Sequence, residues 1–340
     1  MIHPHIADAL KVPDLVRLTD TVVLLRFESM KIYSALAAVR HLLGRGTVRP
    51  GQTLIDSSSG IYAYALALAC HRYGMRCHIV ASTTVDATTL AQLEILGAVV
   101  EQVRPSRNLK LDQELRVRRV REILAERPDC HWMRQYHDDI HYLGYHEVAD
   151  RIAAAFPSTA LTVVGGVGSG ASTGGIVERL RAAESSVRLV GVQPFGSVTF
   201  GSQDHHDPEA IIAGIGSSIV FDNVRHHLYD AVHWLDFTHA MSGAVALLRD
   251  HAVFAGLSTG AGYLAATYEA RRHPDRLHVV IGADTGHRYV ERVFARHAQA
   301  LDPAALKPVE VRDPEGMTMP WSRLEWRRAA CPARWKERAA

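Results

Sequence analysis

From Gly51 onward, short apolar runs alternate with amphipathic ones, and the joints between them are repeatedly rich in glycine or serine. A strand followed by a helix, over and over, leaves few options: parallel sheets with helices packed against them. "QTLID" predicts a strand, followed by a helix from about Gly60 to Tyr73 that Gly74 stops. "CHIVAS" predicts the next strand, Asp86 caps "ATTLAQLEIL", Gly97 closes that helix, and "AVVEQV" is a further strand. A basic amphipathic helix near Glu114 to Glu126, "HWMR", and a helix near Tyr145 to Phe156 complete the first half. The second half predicts strands at "ALTVVG", "RLVGVQP" and "LHVVIGA", with helices after Ser172, near Phe237 to Asp250, and after Ser258. In such folds ligands bind beyond the carboxyl ends of strands, so the site belongs in strand-to-helix loops.

Two of those loops have the composition of anion sites. "VVGGVGSGASTGG" places glycines where a backbone must approach a ligand, and it opens a helix whose first amides can hold a phosphate. As a dinucleotide fingerprint it is incomplete, since Ala171 would have to be the third glycine, and the chain lacks the GxxxxGK[ST] of a P-loop. "SSSG", Ser57 to Gly60, follows "QTLID" in the same position, with more hydroxyls than one helix cap requires. A carboxylate suits it.

The near-balance of 38 basic against 36 acidic residues argues against nucleic acid as a partner. No apolar run approaches the roughly 20 residues needed to cross a bilayer, and the start does not resemble a secretion signal. A soluble, cytoplasmic protein is expected. Its 4 cysteines are scattered without a CxxC pair, so neither a zinc site nor a disulfide framework is expected. His137, His141 and His146 crowd one region, but no nearby cysteine completes a metal set, and structural histidines are the simpler reading.

Taken in order, "LRFESMKIYSALAA", "SSSGIYAYALALA", "VGSGASTGGI", "FAGLSTGAGYLAA" and "GADTGHRYV" resemble the motifs of the pyridoxal-phosphate enzymes of the cysteine synthase and tryptophan synthase beta-subunit superfamily, fold type II. The resemblance runs from about Pro13 to Phe294. It implies an α/β chain of two domains, each a largely parallel sheet flanked by helices, with the cofactor in the cleft between them. The implied boundaries are 13–34 with 152–300 for a larger cofactor-binding domain and 35–151 for a smaller mobile domain that closes over the substrate. A C-terminal tail, 301–340, would pack on its own surface or on a subunit neighbour. A homodimer acting on small amino-acid substrates is the implied assembly. "WMRQYHDDIHYLGYHEV", "QPFGSVTFG" and "AGIGSS" are most similar to the siderophore-pathway N-(2-amino-2-carboxyethyl)-L-glutamate synthases, which join phosphoserine to glutamate.

Residue by residue, the resemblance implies that Lys31 carries pyridoxal 5'-phosphate as a Schiff base and, once released, removes the substrate's α proton. Gly168, Ser169, Gly170, Ala171 and Ser172 would hold the cofactor phosphate. The Thr285 hydroxyl would meet the pyridine nitrogen. Ser58, Ser59, Gly60, Tyr62 and Gln135 would surround the substrate carboxylate. The implied reaction is β-replacement on an O-activated L-serine, O-phospho-L-serine or O-acetyl-L-serine, through an aminoacrylate that accepts an amine or sulfur nucleophile. The product is a 2,3-diaminopropionate-type or cysteine-type amino acid.

Departures from the pattern keep other readings open. The Asn-Pro-x-Gly before the lysine and the Asp-Arg after it are missing, and Ile61 stands where the family has an asparagine that donates to the cofactor's phenolate oxygen. Tyr62 or a water could supply that donor. A dehydratase-like β-elimination on the same scaffold, or a degenerate cofactor-binding or regulatory protein, are the alternatives.

Overall fold

The computed structural model describes residues 2–10, 12–83, 85–104, 109–211 and 214–331. The chain folds into two compact units, Met1–Val12 with Ser29–Tyr145, and Pro13–Glu28 with His146–Ala340.

The smaller unit is built on a four-stranded parallel sheet in the order Val99–Val103, Arg76–Ser82, Thr53–Ser57, His131–Trp132. Its central strand, Thr53–Ser57, is buried throughout, as parallel strands covered on both faces must be. The alanine- and leucine-rich segment Lys31–Gly44 forms a helix because Ile32, Ala35, Leu36, Val39 and Leu42 recur at helical spacing. That stripe enters one core with Tyr62, Leu66 and Ala69 of the next helix, Ile61–Tyr73. Gly144 permits the closest approach: a Cβ there would lie 2.1 Å from the Tyr33 carbonyl oxygen.

The larger unit holds an eight-stranded sheet in the order Asp14–Arg17, Val22–Arg26, Leu277–Gly282, Leu161–Gly166, Arg188–Pro194, Ala231–Leu235, Trp321–Glu325, Val309–Val311. The strands from Val22–Arg26 to Ala231–Leu235 run parallel, with Val279 in register with both Val23 and Val163. Antiparallel strands flank this parallel set on both sides. The helices Phe237–His251 and Leu257–Arg272 pack on each other, and Ala244, Leu247, Leu264 and Ala265 join Val164, Val190 and Val280 in the main core.

These units differ from the boundaries 13–34, 35–151, 152–300 and 301–340 in three ways, the first being that residues 146–151 fall in the larger unit. Residues 29–34 belong with the smaller unit, because the apolar face of Lys31–Gly44 is buried in that unit's core. The segment from residue 301 is no separate tail as far as Glu325, since Val309–Val311 and Trp321–Glu325 are strands of the larger sheet. Trp321 and Arg323 are buried on it, and Arg323 Nε donates to the buried Glu269 at 2.5 Å. Glu269 also accepts from His233 Nε2 at 3.0 Å, and Trp321 Nε1 donates to His233 Nδ1 at 3.0 Å. The basic aromatic end of the sequence, 332–340, lies outside the described residues. Among the described residues no helix is long and apolar enough to cross a membrane.

Candidate active site

In the smaller unit the strand Thr53–Ser57 delivers Ser58, Ser59 and Gly60 to the start of the helix Ile61–Tyr73. Gly60 is the N-cap, with extended backbone, and no side chain caps the helix. Its first turn therefore keeps amide donors for something other than a cap. Ser58 is buried and its amide donates to the Val80 carbonyl at 3.1 Å. The Ser59 Oγ accepts from the Ser82 amide at 2.6 Å and from Arg116 Nη1 at 3.0 Å. Arg116 is only 5% exposed, which places a guanidinium inside the unit beside the serine loop.

The loop is held from below by Asp56. This carboxylate accepts from the Ser57 amide at 2.8 Å, the Gln135 amide at 3.0 Å and Trp132 Nε1 at 3.1 Å. Gln135 closes the clamp, its side-chain amide donating to the Ser57 carbonyl at 2.9 Å. That commitment makes Gln135 a support of the loop, in contrast to the direct substrate contact that the sequence suggests. Tyr62 differs in the same sense. Its ring is buried in the unit's core, edge-on to His141, and its hydroxyl approaches Asp56 without reaching hydrogen-bonding geometry. Ile61 is half-buried at the helix's first position.

Lys31 opens the helix Lys31–Gly44 in the same unit. Although the residue keeps some exposure, burial of its amine pushes the pKa down to about 8. One turn on, the Ser34 hydroxyl lies 2.9 Å from His141 Nδ1, and His141 Nε2 lies 2.8 Å from the Met133 carbonyl. A carbonyl only accepts, so the proton sits on Nε2 and Nδ1 accepts from Ser34. Burial lowers the His141 pKa to about 4, so the ring is neutral and structural.

In the larger unit the strand Leu161–Gly166 runs into a glycine loop and the helix Ala171–Ala183. The backbone is approached so closely there that side chains are excluded. A Cβ at Gly168 would lie 2.3 Å from the Gly214 oxygen, and one at Gly170, whose φ is +81°, 2.4 Å from the Asn223 oxygen. No side chain caps this helix either, and Ser169, Ala171 and Ser172 are buried around its first turn. Ala171 is helical, so it needs no glycine angle. Uncapped amides beside two hydroxyls have the donor chemistry that suits an anion.

Thr285 follows the strand Leu277–Gly282 in a short 3-10 turn, Gly286–Tyr289, with its Oγ1 2.9 Å from His287 Nδ1. The preceding Asp284 is buried, accepts from the Tyr289 hydroxyl at 3.2 Å, and has its pKa raised to about 6 by burial. The start of the helix Leu257–Arg272 joins the two loops. A Cβ at Gly256 would meet Asp284 Oδ1 at 2.0 Å, and one at Gly166 would lie 3.6 Å from Ser258 Cβ.

The structure thus gathers Ser58, Ser59 and Gly60 with Gln135 in one cluster, and Gly168 to Ser172 with Thr285 around the start of one helix. Sequence reasoning missed Asp56 and Arg116. Arg116 carried a faint signal: with Val120 and Ile123 it occupies the buried i, i+4, i+7 stripe of an otherwise solvated, arginine-rich helix, Leu109–Glu126.

The N-(2-amino-2-carboxyethyl)-L-glutamate synthase of Ralstonia nicotianae is 34% identical over 269 residues, 78% of each chain. The protein of the same description from Cupriavidus metallidurans is 34% identical over 276 residues, 78% of this chain and 79% of that one. The crystal structure of the O-acetylserine dependent cystathionine beta-synthase from Helicobacter pylori superposes with a TM-score of 0.76 at 21% identity, covering 86% of this chain and 98% of that one. It shares the fold, that of fold type II enzymes. Residues 23–283 match the family described as "Pyridoxal-phosphate dependent enzyme", and the chain belongs to that family.

Proposed function

We propose that this chain catalyses β-replacement on O-phospho-L-serine, with the amine of L-glutamate as the nucleophile. The cofactor is pyridoxal 5'-phosphate. The residues present fit it: backbone closed to any Cβ at Gly168 and Gly170, buried hydroxyls at Ser169 and Ser172, and an uncapped helix start suit its phosphate. When bound, it supplies an electron sink for the charge left when the substrate's α proton departs.

The chain's own groups do the rest. Lys31, whose amine burial lowers to a pKa of about 8, would hold the cofactor's aldehyde carbon, and the same amine takes the substrate's α proton and returns one to the same α carbon. Ser58, Ser59 and the amides after Gly60 hold the α-carboxylate. Thr285 presents a hydroxyl to the ring nitrogen; a neutral partner does not force a proton onto that nitrogen, which suits loss of a β leaving group more than transamination. The Cβ–O bond breaks with its electron pair leaving on phosphate, a Cβ–N bond forms, and the nucleophile's surplus proton goes to solvent.

The observation that carries the choice of leaving group is Arg116. A guanidinium buried against Ser59 Oγ carries a fixed positive charge that complements a doubly charged phosphate and has no counterpart in a neutral acetyl ester. The two relatives named for glutamate support the nucleophile. The working assembly is a cytoplasmic homodimer; the buried thiols of Cys70, Cys77 and Cys130, unpaired in the structure, are consistent with a reducing compartment.

The test is holoprotein incubated with O-phospho-L-serine or O-acetyl-L-serine and either L-glutamate or sulfide, with products identified by mass. Phosphate release that depends on glutamate, giving N-(2-amino-2-carboxyethyl)-L-glutamate, is expected. Pyruvate formed without any nucleophile would instead make the protein a dehydratase-like lyase.

A further inference from the structure

Asp56 is not explained by the reaction. It is 1% exposed, lies one residue before the serine loop, and gathers donors from three directions: Ser57 N ahead of it, and Trp132 Nε1 and Gln135 N from the neighbouring strand and its exit. Gln135 then returns a bond to the Ser57 carbonyl, so carboxylate, loop and strand exit form a closed ring of hydrogen bonds. We propose that Asp56 is the positioning residue of the serine loop: its charged carboxylate holds Ser58 and Ser59 in the geometry that receives the substrate's carboxylate, and loss of that charge loosens the grip. This rests on the reading that the serine loop binds that carboxylate.

The surroundings make the charge conditional. Facing Asp56 are Tyr62 from the helix Ile61–Tyr73, Cys77 from the strand Arg76–Ser82, Trp132 from the strand His131–Trp132, and Tyr136 from the segment after that strand. All are uncharged at neutral pH, because burial raises the Tyr62 and Tyr136 pKa values further above their ordinary range and that of Cys77 is also held up. The cations of the surroundings bear on its neighbours: Arg116 on Ser59 and Tyr136, and Arg121 and Arg134 over the Trp132 ring at 6.0 and 5.9 Å. Burial accordingly raises the Asp56 pKa to about 6, in spite of the bonds from Gln135, Ser57 and Trp132 that favour the carboxylate. The sign follows. Above about pH 6 the carboxylate accepts all three donors; below it, a protonated acid carries a donor of its own among donors.

The experiment measures kcat and KM for O-phospho-L-serine on the holoenzyme across the range from about pH 5 to 8, with wild type and Asp56→Asn side by side. The substrate phosphate's own ionisation near pH 6 is common to both and cancels in their ratio. Asp56→Asn is expected to raise KM roughly tenfold at neutral pH, with kcat changed much less. The ratio of the two KM values is expected to approach one as the pH falls below about 6. A ratio independent of pH would overturn the proposal. A second arm uses Trp132→Phe, which keeps the acid and removes one donor to its charged form; it should move the pH break in KM upward. It stands as the test if Asp56→Asn fails to fold, and an unmoved break there is equally fatal. Ser58→Ala combined with Ser59→Ala separates the premises. If that pair leaves KM unchanged, the carboxylate reading itself falls; if it raises KM while Asp56→Asn does not, only the role of Asp56 falls.

Discussion

Thr285 Oγ1 and His287 Nδ1 lie 2.9 Å apart in one short turn. The histidine therefore influences which way the threonine hydroxyl points. Thr285→Val should retain cofactor yet lower turnover by roughly tenfold, the effect of one lost hydrogen bond. Thr285→Asp should shift the visible spectrum of the holoprotein and raise the share of transamination product relative to phosphate release, because a carboxylate holds a proton on the ring nitrogen. Absorbance and product ratios read both outcomes.

Lys31→Ala should abolish the visible band that cofactor gives with wild type. For wild-type apoprotein, only the neutral amine attacks an aldehyde. With the Lys31 pKa lowered to about 8 by burial, the rate of cofactor uptake should climb through that pH and level above it. Stopped-flow absorbance on apoprotein checks the midpoint.

Arg116→Leu keeps the buried stem and removes the charge. KM for O-phospho-L-serine should rise by roughly a hundredfold. The rise for O-acetyl-L-serine should be far smaller. Arg116→Lys should fall between, since an ammonium cannot bridge Ser59 and a phosphate in the same plane. Equal losses on both substrates would remove the phosphate role.

Ile61 is half-buried at the first turn of the serine-loop helix and has no donor to offer. Ile61→Asn should tighten cofactor binding by about 1.5 kcal/mol and move the visible band, as a bond to a charged oxygen is worth. Equilibrium dialysis and the spectrum report it.

Arg323→Met would leave Glu269 buried with His233 as its remaining hydrogen-bond partner and His273 Nε2 3.9 Å away. Burial alone would raise the Glu269 pKa, but His233 and Arg323 together hold it far below the usual carboxylate range. Breaking a buried pair from one side costs about 3–5 kcal/mol. A lower urea midpoint for unfolding should follow, with cofactor absorbance unchanged in the native baseline.

What the sequence exposes is set by how local the physics is. The glycine loop at Gly168 and Gly170 was legible because close backbone contacts there exclude any side chain, and the loop follows a fully apolar strand. Asp14–Arg17 and Val309–Val311 were not, since strands that short at the edges of a sheet bury little and carry no periodic mark. Ala231–Leu235 was hidden by His233, whose burial depends on Glu269 and Trp321 far along the chain. Gln135 and Tyr62 were assigned to the ligand from the order of motifs, yet their partners, Ser57 and the core around His141, are decided by three-dimensional packing. Asp56 looked like one more polar residue at the end of a strand. Nothing local marks the donors that converge on it.

The strand Val22–Arg26 pairs with Leu277–Gly282, and the sheet ends on Trp321–Glu325. Everything the smaller unit needs has been synthesised by Tyr145. On the ribosome, that insert can mature while its host is still an unfinished set of strands, waiting on a closure across most of the polypeptide. Messages truncated near their 3' end should therefore yield a protease-resistant core of residues 29–145 with the helix Ile6–Leu10 still packed on it, trailing an unstructured remainder.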